Sequence, residues 1–381
     1  SAKKTIDAAI YNNNRNDLTS ALQVAQTRGV RVRYIAAEST GNSALTPNPN
    51  FPVLYGNSSA LMHNKFLVID AELPTDAWVM SGSMNWTNAN MVQDYNNSLF
   101  IQDQSLARAY ELEFQEMWGS AGALPNAGNS RFGSSKKDNT PHQFIIGGRA
   151  VESYFSPSDK VTSRIVSAIE SAEYKTSFAI FTFTKDEIGN ALIARHQSGA
   201  WVRGIVENTG DIGAEYTGLL SNGVPTKDHP AGPLLHHKYV VLDAGYPASD
   251  PVVVTGSHNW SQAAESENDE NTLVIHDADL ATLFQAEFER RWLETGSATY
   301  AAAERSFEAY PNPVRDQLFL RHRDGSEWSA TIEIRDIFGR RLSVQDITGQ
   351  VGVLDLNGLA AGNYLISLIT KGGIYSLPLQ K

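Results

Sequence analysis

Residues 62–70 read Met62-His63-Asn64-Lys65-Phe66-Leu67-Val68-Ile69-Asp70, and the chain contains this pattern twice. The second copy, residues 235–243, reads Leu235-His236-His237-Lys238-Tyr239-Val240-Val241-Leu242-Asp243. Both copies have the spacing H-x-K-x-x-x-x-D, and each is followed by a Gly-Ser-x-Asn-Trp turn, at residues 82–86 and 256–260. One His-x-Lys pair carries little information, but two copies with the same downstream turn indicate a shared function and an internal duplication.

The similarity between the copies extends upstream as a strand, a helix and a second strand. A glycine closes each helix, and alternating apolar residues follow it. Strand–helix–strand order predicts a right-handed crossover and a largely parallel sheet. We therefore predict an α/β fold with two homologous domains, each a mixed or parallel sheet flanked by helices, related by a pseudo-twofold axis. The matched segments are 5–11 with 175–181, 17–25 with 187–195, and 29–35 with 199–205.

Further matched segments complete each repeat. Continuous apolar runs predict buried central strands, a matched strand follows each turn, and a helix with an aromatic core-packing face closes each copy. The second copy also has a leading strand and a helix after Asp159 that the first copy lacks, so we expect the native polypeptide to extend upstream of residue 1. These segments are 66–69 with 239–242, 97–101 with 271–275, the helix residues Phe114, Met117 and Trp118 with Phe284, Phe288 and Trp292, and the leading strand 150–157.

Composition divides the chain into four parts. We predict a first repeat at 1–118, a linker rich in Gly, Ser, Asn and Pro at 119–148, a second repeat at 149–300 and a β-sandwich at 306–381. Irregular loops at 39–60 and 208–234 precede the His motifs and are predicted to rim the active site. The sandwich is predicted to have six or seven strands. Its signals are alternating segments at 317–320, 330–334, 353–356 and 363–368, with turns at 324–325, 338–339 and 361–362.

The charge of the chain is informative about partners. The 381 residues have a net charge of −11, and residues 306–381 hold eight basic and eight acidic residues, so the preceding part carries the whole negative charge. A nucleic-acid binder usually has a basic excess in its binding domain, which makes a polyanionic partner less favoured. The chain has no cysteine, which excludes disulfides, thiol catalysis and thiolate metal sites.

The two motifs and their turns resemble the phospholipase D superfamily, in which two H-x-K-x(4)-D motifs form one active site at a domain interface. The resemblance covers about residues 5 to 295 and implies two phospholipase D-like domains. In a strand, residues i and i+2 share a face, so His63 and Lys65 are expected to point together, as are His236 and Lys238. Asp70 and Asp243, at the far ends of the strands, are predicted to be structural anchors.

The resemblance implies phosphodiester chemistry through a covalent phosphohistidine. One neutral histidine attacks phosphorus and the other, protonated, donates to the leaving oxygen. Family tendency makes His63 the nucleophile and His236 the acid and base. The motif lysines supply charge to the non-bridging oxygens, so neither a metal nor another cofactor is predicted. Further phosphate contacts are predicted from the amides of Asn85 and Asn259 and the hydroxyls of Ser83 and Ser257.

A carboxylate downstream of each turn orients the histidines in nuclease members of the superfamily. Glu270 occupies that position in the second copy and Asn96 in the first. We expect Glu270 to act on the histidine of its own copy, which makes His236 the more easily protonated histidine and the general acid.

Other polar residues near the motifs receive structural assignments. His237 is expected on the opposite face from its neighbours, and His258, inside the second turn, is a candidate for substrate contact. Glu265, Glu267 and Asp269 are predicted to form a solvated acidic face, since their spacing matches no calcium-binding loop.

The C-terminal segment resembles the type A sorting domain of the type IX secretion system of Bacteroidetes. That resemblance implies the type IX machinery as a partner and a secreted or cell-surface location. The alternative is a generic β-sandwich binding module. The residues that carry the resemblance are Tyr310-Pro311-Asn312-Pro313-Val314, Gly339-Arg340, Leu359-Ala360-Ala361-Gly362-Asn363-Tyr364 and Lys381.

The substrate stays open between two classes. The acidic catalytic part and the long loops favour a phospholipase D acting on phospholipid at a membrane or vesicle surface, by hydrolysis or transfer. The aromatic turn residues Trp86 and Trp260 resemble those of small bacterial endonucleases and favour nucleic acid. A catalytically silent surface binding module is the third alternative, against which the intact motifs argue. One chain supplies both motifs, so no obligate dimer is predicted.

Overall fold

The structure, a computed structural model, describes residues 1–295, 307–336, 341–370 and 373–381. The chain forms two compact units, Ser1–Ala281 and Thr282–Lys381. The first unit contains both copies of the H-x-K pattern. Over the described ranges, no helix is long and apolar enough to span a membrane.

The first repeat is built on a six-stranded sheet of order β3-β2-β1-β4-β5-β6. Strands β1 to β3 are parallel, which confirms the predicted strand–helix–strand unit, and β4 runs antiparallel to both β1 and β5. The sheet is mixed because β4 and β5 turn back on each other over residues 70–77, too few for a crossover. The elements are β1 (Thr5–Ile10), α1 (Asn16–Thr27), β2 (Arg31–Ala37), β3 (Val53–Gly56), β4 (Lys65–Ile69), β5 (Trp78–Gly82), α2 (Asn88–Val92), β6 (Ser98–Gln102) and α3 (Gln104–Trp118).

The second repeat has the same strand order and adds two strands at one edge, giving β11-β10-β9-β12-β13-β14-β8-β7. The predicted leading strand and the helix after Asp159 are both present. The elements are β7 (Gln143–Ile146), β8 (Arg149–Ser156), α4 (Val161–Ser171), β9 (Lys175–Ile180), α5 (Asp186–Gln197), β10 (Trp201–Val206), α6 (Tyr216–Ser221), β11 (Thr226–Asp228), β12 (Lys238–Leu242), β13 (Val252–Gly256), α7 (Gln262–Ser266), β14 (Glu270–His276) and α8 (Ala278–Glu294), with single 3₁₀ turns at Ser43–Leu45, Gly133–Ser135 and Pro247–Ser249.

Two glycines follow the equivalent helices α1 and α5 in the same way. Gly29 follows α1 with φ of 92° and Gly199 follows α5 with φ of 98°, in the left-handed region that glycine adopts without a Cβ penalty. The chain then enters β2 or β10. The glycine that marks each helix–strand junction in the sequence is therefore required by the backbone conformation, and it locates both crossovers correctly.

Three segments predicted to be irregular contain regular structure. The predicted linker 119–148 includes β7, which pairs antiparallel with β8, and it buries the side chain of Lys136. The two predicted loops contain β3 in the first repeat and α6 with β11 in the second. β3, β7 and β11 have three or four residues each and lie at or near sheet edges, too short for a recognisable period.

One hydrophobic core contains side chains from both repeats. Phe66 and Tyr110 of the first repeat meet Phe155 of the second, with Tyr110 and Phe155 ring centroids 4.9 Å apart. The relative position of the two motifs is thus set by packing. The predicted core-packing residues Phe114, Met117, Trp118, Phe284 and Phe288 are buried, whereas Trp292 is only partly buried.

The motif aspartates anchor the strands that precede the motifs. Asp70 accepts the backbone N–H groups of Lys3, Lys4 and Thr5 at 2.7, 2.6 and 2.8 Å. Asp243 does the same for residues 173–175, at 2.7, 2.8 and 2.7 Å. Both aspartates are 1% exposed, so these charge-assisted bonds satisfy donors that water does not reach.

Replacement of Asp243 by alanine is expected to lower the free energy of unfolding by about 3 kcal/mol, because buried N–H groups lose a charged acceptor. Urea denaturation measures this difference. Asp250→Ala is the matched control, since Asp250 also has positive φ, 57°, but an exposed side chain. Equal stability of the two variants would contradict the anchoring role.

The second unit contains the predicted all-β sandwich. Its sheets have the orders β15-β16-β19 and β18-β17-β20-β21, all neighbours are antiparallel, and both sheets contribute to one core. The predicted turn at 338–339, Arg340 and the domain boundary near residue 300 lie outside the described residues. The strands are β15 (Phe307–Tyr310), β16 (Gln317–His322), β17 (Trp328–Asp336), β18 (Arg341–Gly349), β19 (Val351–Asp355), β20 (Asn363–Thr370) and β21 (Gly373–Gln380).

Candidate active site

The two motifs place their histidines and lysines in equivalent positions. β4 and β12 begin at Lys65 and Lys238, and each histidine lies just before its strand. The predicted strand alternation, by which each histidine and lysine would share a face, therefore does not apply to the histidines. Each lysine Nζ instead folds back and donates to the carbonyl oxygen of the histidine two residues before it, at 2.6 Å for Lys65 and 3.0 Å for Lys238.

Electrostatics show that the motifs form one site. Burial, followed by the charges of Lys65 and Lys238, lowers the pKa of His63 well below its usual value, and burial with the same two lysines lowers the pKa of His236. Burial also lowers the pKa of Lys65 to about 7, and burial with the charge of Lys65 lowers the pKa of Lys238. Two partly suppressed positive charges thus face one another where an anion would stabilise both.

An aromatic ring lies beneath each histidine–lysine pair. Tyr11 lies 4.9 Å from the His63 ring, centroid to centroid, and 4.9 Å from Lys65 Nζ. Phe181 occupies the same place in the second repeat, 5.0 Å from His236 and 4.6 Å from Lys238 Nζ. These rings restrict the pairs sterically and favour the charged lysine. Sequence reasoning aligned them only as strand residues.

The histidine partners are exchanged between the repeats, which corrects the prediction for Glu270. His63 Nδ1 lies 2.7 and 2.9 Å from the carboxylate oxygens of Glu270, and His236 Nδ1 lies 2.8 Å from Asn96 Oδ1. Glu270 thus serves the histidine of the other repeat, and the expectation that it makes His236 the more easily protonated histidine is wrong. The reason is geometric, because Asn96, just before β6, and Glu270, the first residue of β14, each point across the interface.

Ser83 and Ser257 hold these partners, which replaces the predicted phosphate contacts. Ser257 Oγ donates to Glu270 at 2.5 Å, and Ser83 Oγ donates to Asn96 Oδ1 at 3.1 Å. Both serines are 0% exposed, and both also accept a backbone N–H. The hydroxyl hydrogens of the two serines are already donated to Glu270 and Asn96. The serines therefore orient these two residues, which in turn orient the histidines.

Asn97 and Asn271, which directly follow Asn96 and Glu270, also cross the interface. Asn271 Oδ1 accepts the backbone N–H of Lys65 at 2.8 Å, and its Nδ2 donates to Ser81 Oγ at 2.9 Å. Asn97 Oδ1 accepts from Thr255 Oγ1 at 3.0 Å. Asn271 thus fixes the start of the opposing motif strand β4, and Asn97 contacts β13, the neighbour of motif strand β12, roles that the sequence did not indicate.

Asn85 and Asn259 each have an unpaired side-chain oxygen. The Oδ1 atom of each is buried, with no hydrogen-bond partner in the part of the chain that the structure describes. Each directly precedes a buried tryptophan, Trp86 or Trp260, that fixes the turn. Each oxygen is therefore free to accept a hydrogen bond, while the phosphate contact, which needs the Nδ2 group as donor, stays a prediction.

The predicted solvated acidic face is not present at Asp269. Asp269 is 0% exposed and accepts from Gly133 N at 2.7 Å and Asn57 Nδ2 at 2.8 Å. Lys136 Nζ, from the predicted linker, lies 3.5 Å from Asp269 and 2.5 Å from Glu113. Because Asp269 adjoins Glu270, this buried cluster anchors the strand that carries the His63 partner.

The two remaining histidines near the motifs are buried. His258 is 2% exposed, its Nε2 lies 3.6 Å from a Glu265 carboxylate oxygen, and its charge acts on both His63 and Glu270. His237 is 2% exposed and faces Asn97 across the interface, with Nδ1 at 3.4 Å from Asn97 Nδ2. Glu265 also accepts from the backbone and hydroxyl of Thr162, so it is a structural acceptor. Within the described residues, no three His, Asp or Glu side chains are grouped to hold a metal ion.

Anion binding at this site is expected to weaken as pH rises. Lys65 has a pKa of about 7 in the free site, so at higher pH the site must take up a proton to bind tungstate, whose own charge is constant over this range. Its affinity should fall about tenfold between pH 6 and pH 8. Calorimetry in buffers of different ionisation enthalpy measures the proton uptake. An affinity for tungstate that does not change with pH, with no proton uptake, would contradict the lowered pKa of Lys65.

Comparison with known proteins gives the class of this fold and site. The family profile described as "Cardiolipin synthase, PLD-like domain" matches residues 1–118 and 165–292, more than half of the chain. A second profile, described as a secretion system C-terminal sorting domain, matches residues 308–377. The mixed sheets and paired motifs are those of the phospholipase D superfamily. The chain belongs to the PLD-like family of that superfamily, and it ends in a type IX C-terminal sorting domain.

Individual relatives cover parts of the chain. Mitochondrial cardiolipin hydrolase from Xenopus laevis is 32% identical over 145 residues, which are 38% of this chain and 66% of that protein. The human protein of that name is 29% identical over 144 residues, 37% of this chain and 55% of that protein, so the chain spans less than two thirds of these relatives.

One solved structure, with a TM-score above 0.5, shows the same fold. Phosphatidylserine synthase from Haemophilus influenzae has a TM-score of 0.53 at 14% identity and covers 77% of this chain and 81% of its own. The phospholipase D family member Nuc from Salmonella typhimurium is 30% identical and covers 38% of this chain and 94% of its own, with a TM-score of 0.34.

Proposed function

We propose that this protein is a phosphodiesterase that works through a phosphohistidine intermediate. The observation that carries the proposal is the convergence of two histidines, each held through Nδ1, with two buried lysines whose pKa values are lowered. This arrangement leaves both Nε2 atoms for chemistry. It supplies one nucleophile, one proton donor and two charges for the non-bridging oxygens of a phosphodiester.

The partners of the two histidines support His63 as the nucleophile. When Nε2 bonds to phosphorus, the bond to the leaving oxygen breaks, and the ring stays positively charged for the lifetime of the intermediate. Glu270, at 2.7 Å from His63 Nδ1, stabilises that charge, whereas the Asn96 amide gives His236 none. His236 donates its Nε2 proton to the leaving oxygen. It then takes a proton from the water that attacks phosphorus, and the N–P bond breaks.

The proposed substrate is a phospholipid, cleaved on the headgroup side as by a phospholipase D. Two observations support this choice. The net charge of −11 is unfavourable for a polyanion such as DNA. The matching relatives carry the name cardiolipin hydrolase, and the family profile is described as cardiolipin synthase.

A parallel assay tests the activity and the substrate together. Wild type, His63→Ala, His236→Ala and the control His276→Ala are incubated with EDTA and either phosphatidylcholine–cardiolipin vesicles or plasmid DNA. We expect headgroup release by wild type and the control, and none by the two motif variants. DNA nicking without headgroup release would assign a nucleic-acid substrate. Turnover of neither substrate by wild type would contradict the phosphodiesterase proposal.

We further propose that the C-terminal unit directs export through the type IX machinery to the cell surface or medium. The support is the sorting-domain profile over residues 308–377. Expression in a host with this system, with and without residues 310–381, tests it. We expect the truncated protein to stay inside the cell, and unchanged secretion would contradict the proposal.

A further inference from the structure

We propose that Asn96 is a positioning residue that makes cleavage of poor leaving groups acid-dependent, because it withholds from His236 the negative charge that Glu270 gives to His63. This inference rests on the proposed phosphodiesterase function and concerns the proton supply of the same site. It follows from a difference between the repeats, since the two positions are equivalent in the fold.

The orientation of the Asn96 amide is determined by three contacts. Nδ2 donates to the carbonyl oxygen of Asn90 at 3.1 Å, and Oδ1 accepts from Ser83 Oγ at 3.1 Å. The reversed amide would place its oxygen against the Asn90 carbonyl oxygen. Oδ1 must therefore face His236 Nδ1, which lies 2.8 Å away, and that nitrogen must carry the hydrogen. In its neutral state His236 is therefore the Nδ1–H tautomer, with the Nε2 lone pair free.

The surroundings of His236 do not replace the missing carboxylate. The groups whose charges act on the ring are Lys238, Lys65, His63 and His237, and all of them oppose its protonation. Two carboxylates next to this segment have other partners. Glu207 accepts from Leu235 N at 2.8 Å and lies 2.9 Å from His229 Nδ1. Asp94 accepts from Leu234 N at 3.0 Å and from Asn90 Nδ2 at 2.8 Å. Among the described residues, no carboxylate is hydrogen-bonded to His236. The uncharged ring of Phe181 packs against the His236 ring, with the ring centroids 5.0 Å apart.

The two half-reactions need opposite states of His236. Bond cleavage needs the protonated ring as a donor to an alkoxide, whereas water attack needs the neutral ring as a base. Asn96 favours the neutral state, which suits the second step and restricts the first to lower pH. A p-nitrophenolate leaving group needs no proton, so the restriction should disappear with that substrate.

The test compares wild type with Asn96→Asp and Asn96→Leu. The kcat/KM–pH profile is measured with an alkyl phosphodiester and with bis(p-nitrophenyl) phosphate. For the alkyl substrate, Asn96→Asp is expected to move the alkaline limb up by about one pH unit, a roughly tenfold gain over wild type beyond that limb. Asn96→Leu is expected to lower kcat/KM at every pH with the limb in place. With the p-nitrophenyl substrate neither variant should shift a limb.

The outcomes separate this inference from the proposed function. An unmoved limb in active Asn96→Asp would overturn the inference and leave the activity intact, whereas wild type inactive on both diesters would overturn the proposed function. If the variants do not fold, ¹⁵N-histidine NMR of wild type decides the matter. A His236 resonance of the Nδ1–H tautomer supports the inference, and an Nε2–H tautomer overturns it.

Discussion

His236→Ala is expected to release one equivalent of p-nitrophenolate per site from bis(p-nitrophenyl) phosphate and then to stall, while His63→Ala releases none. His63 keeps its Glu270 partner in the first variant and can still form the N–P bond. A good leaving group needs no general acid, but water attack on the intermediate needs the missing base. For an alkyl phosphodiester the first step should slow by about 10²–10⁴-fold, the usual contribution of a general acid. Rapid-quench burst kinetics measure both quantities.

Mass spectrometry of the stalled His236→Ala protein provides the companion readout. We expect a p-nitrophenyl phosphoryl group on His63, since one of the two ester groups stays on phosphorus. A burst from His63→Ala together with none from His236→Ala would reverse the assigned roles. His276→Ala, whose ring is partly buried and lies outside the two motifs, should turn over like wild type and controls for general damage.

Lys136→Met is expected to lower the free energy of unfolding at pH 7 by about 3–5 kcal/mol, the usual result of removing one partner of a buried ion pair. Lys136 is buried between Glu113 and Asp269, and these two carboxylates raise the pKa of Lys136, which keeps it charged. Without it both carboxylates stay buried without a cation. The neighbouring Lys137 is exposed, so Lys137→Met is the matched control. Urea denaturation of both variants gives the difference.

The destabilisation of Lys136→Met should shrink as pH falls from 7 to 5. Burial raises the pKa of Glu113 to about 7 and raises the pKa of Asp269. A carboxyl with a raised pKa in the folded state binds its proton on folding, so stability increases as pH falls toward the pKa of the unfolded chain. A stability difference that does not change with pH would show that Lys136 acts through packing alone.

Long elements with a clear period could be predicted from the sequence, and short ones could not. The strands β1, β2, β9 and β10 were located because glycine ends a preceding helix or because apolar runs repeat between the copies. β3, β7 and β11 have four, four and three residues, and their pairing comes from the sheet edge that receives them. Pairing with a neighbouring strand, and not local sequence preference, imposes the strand conformation on these segments.

The burial of polar residues was the harder problem. Asp269 and Lys136 lie in segments whose composition is typical of a solvated surface, yet both are buried. Each is tolerated inside because the other supplies the opposite charge, and they are 133 positions apart. A single sequence contains no local signal for such a pairing.

The sequence alone determined the chemistry that is available: a repeated His, Lys and Asn set on a duplicated α/β fold, with Asp70 and Asp243 ending equivalent strands. It also showed that the copies differ at Asn96 and Glu270. Only the tertiary structure decided which histidine receives the carboxylate. His63 and Glu270 are 207 positions apart, and they meet because the two sheets pack on a shared core that turns β6 and β14 toward the opposite repeat. Hydrogen-bond partners follow from that docking geometry, which residue spacing along the chain does not encode.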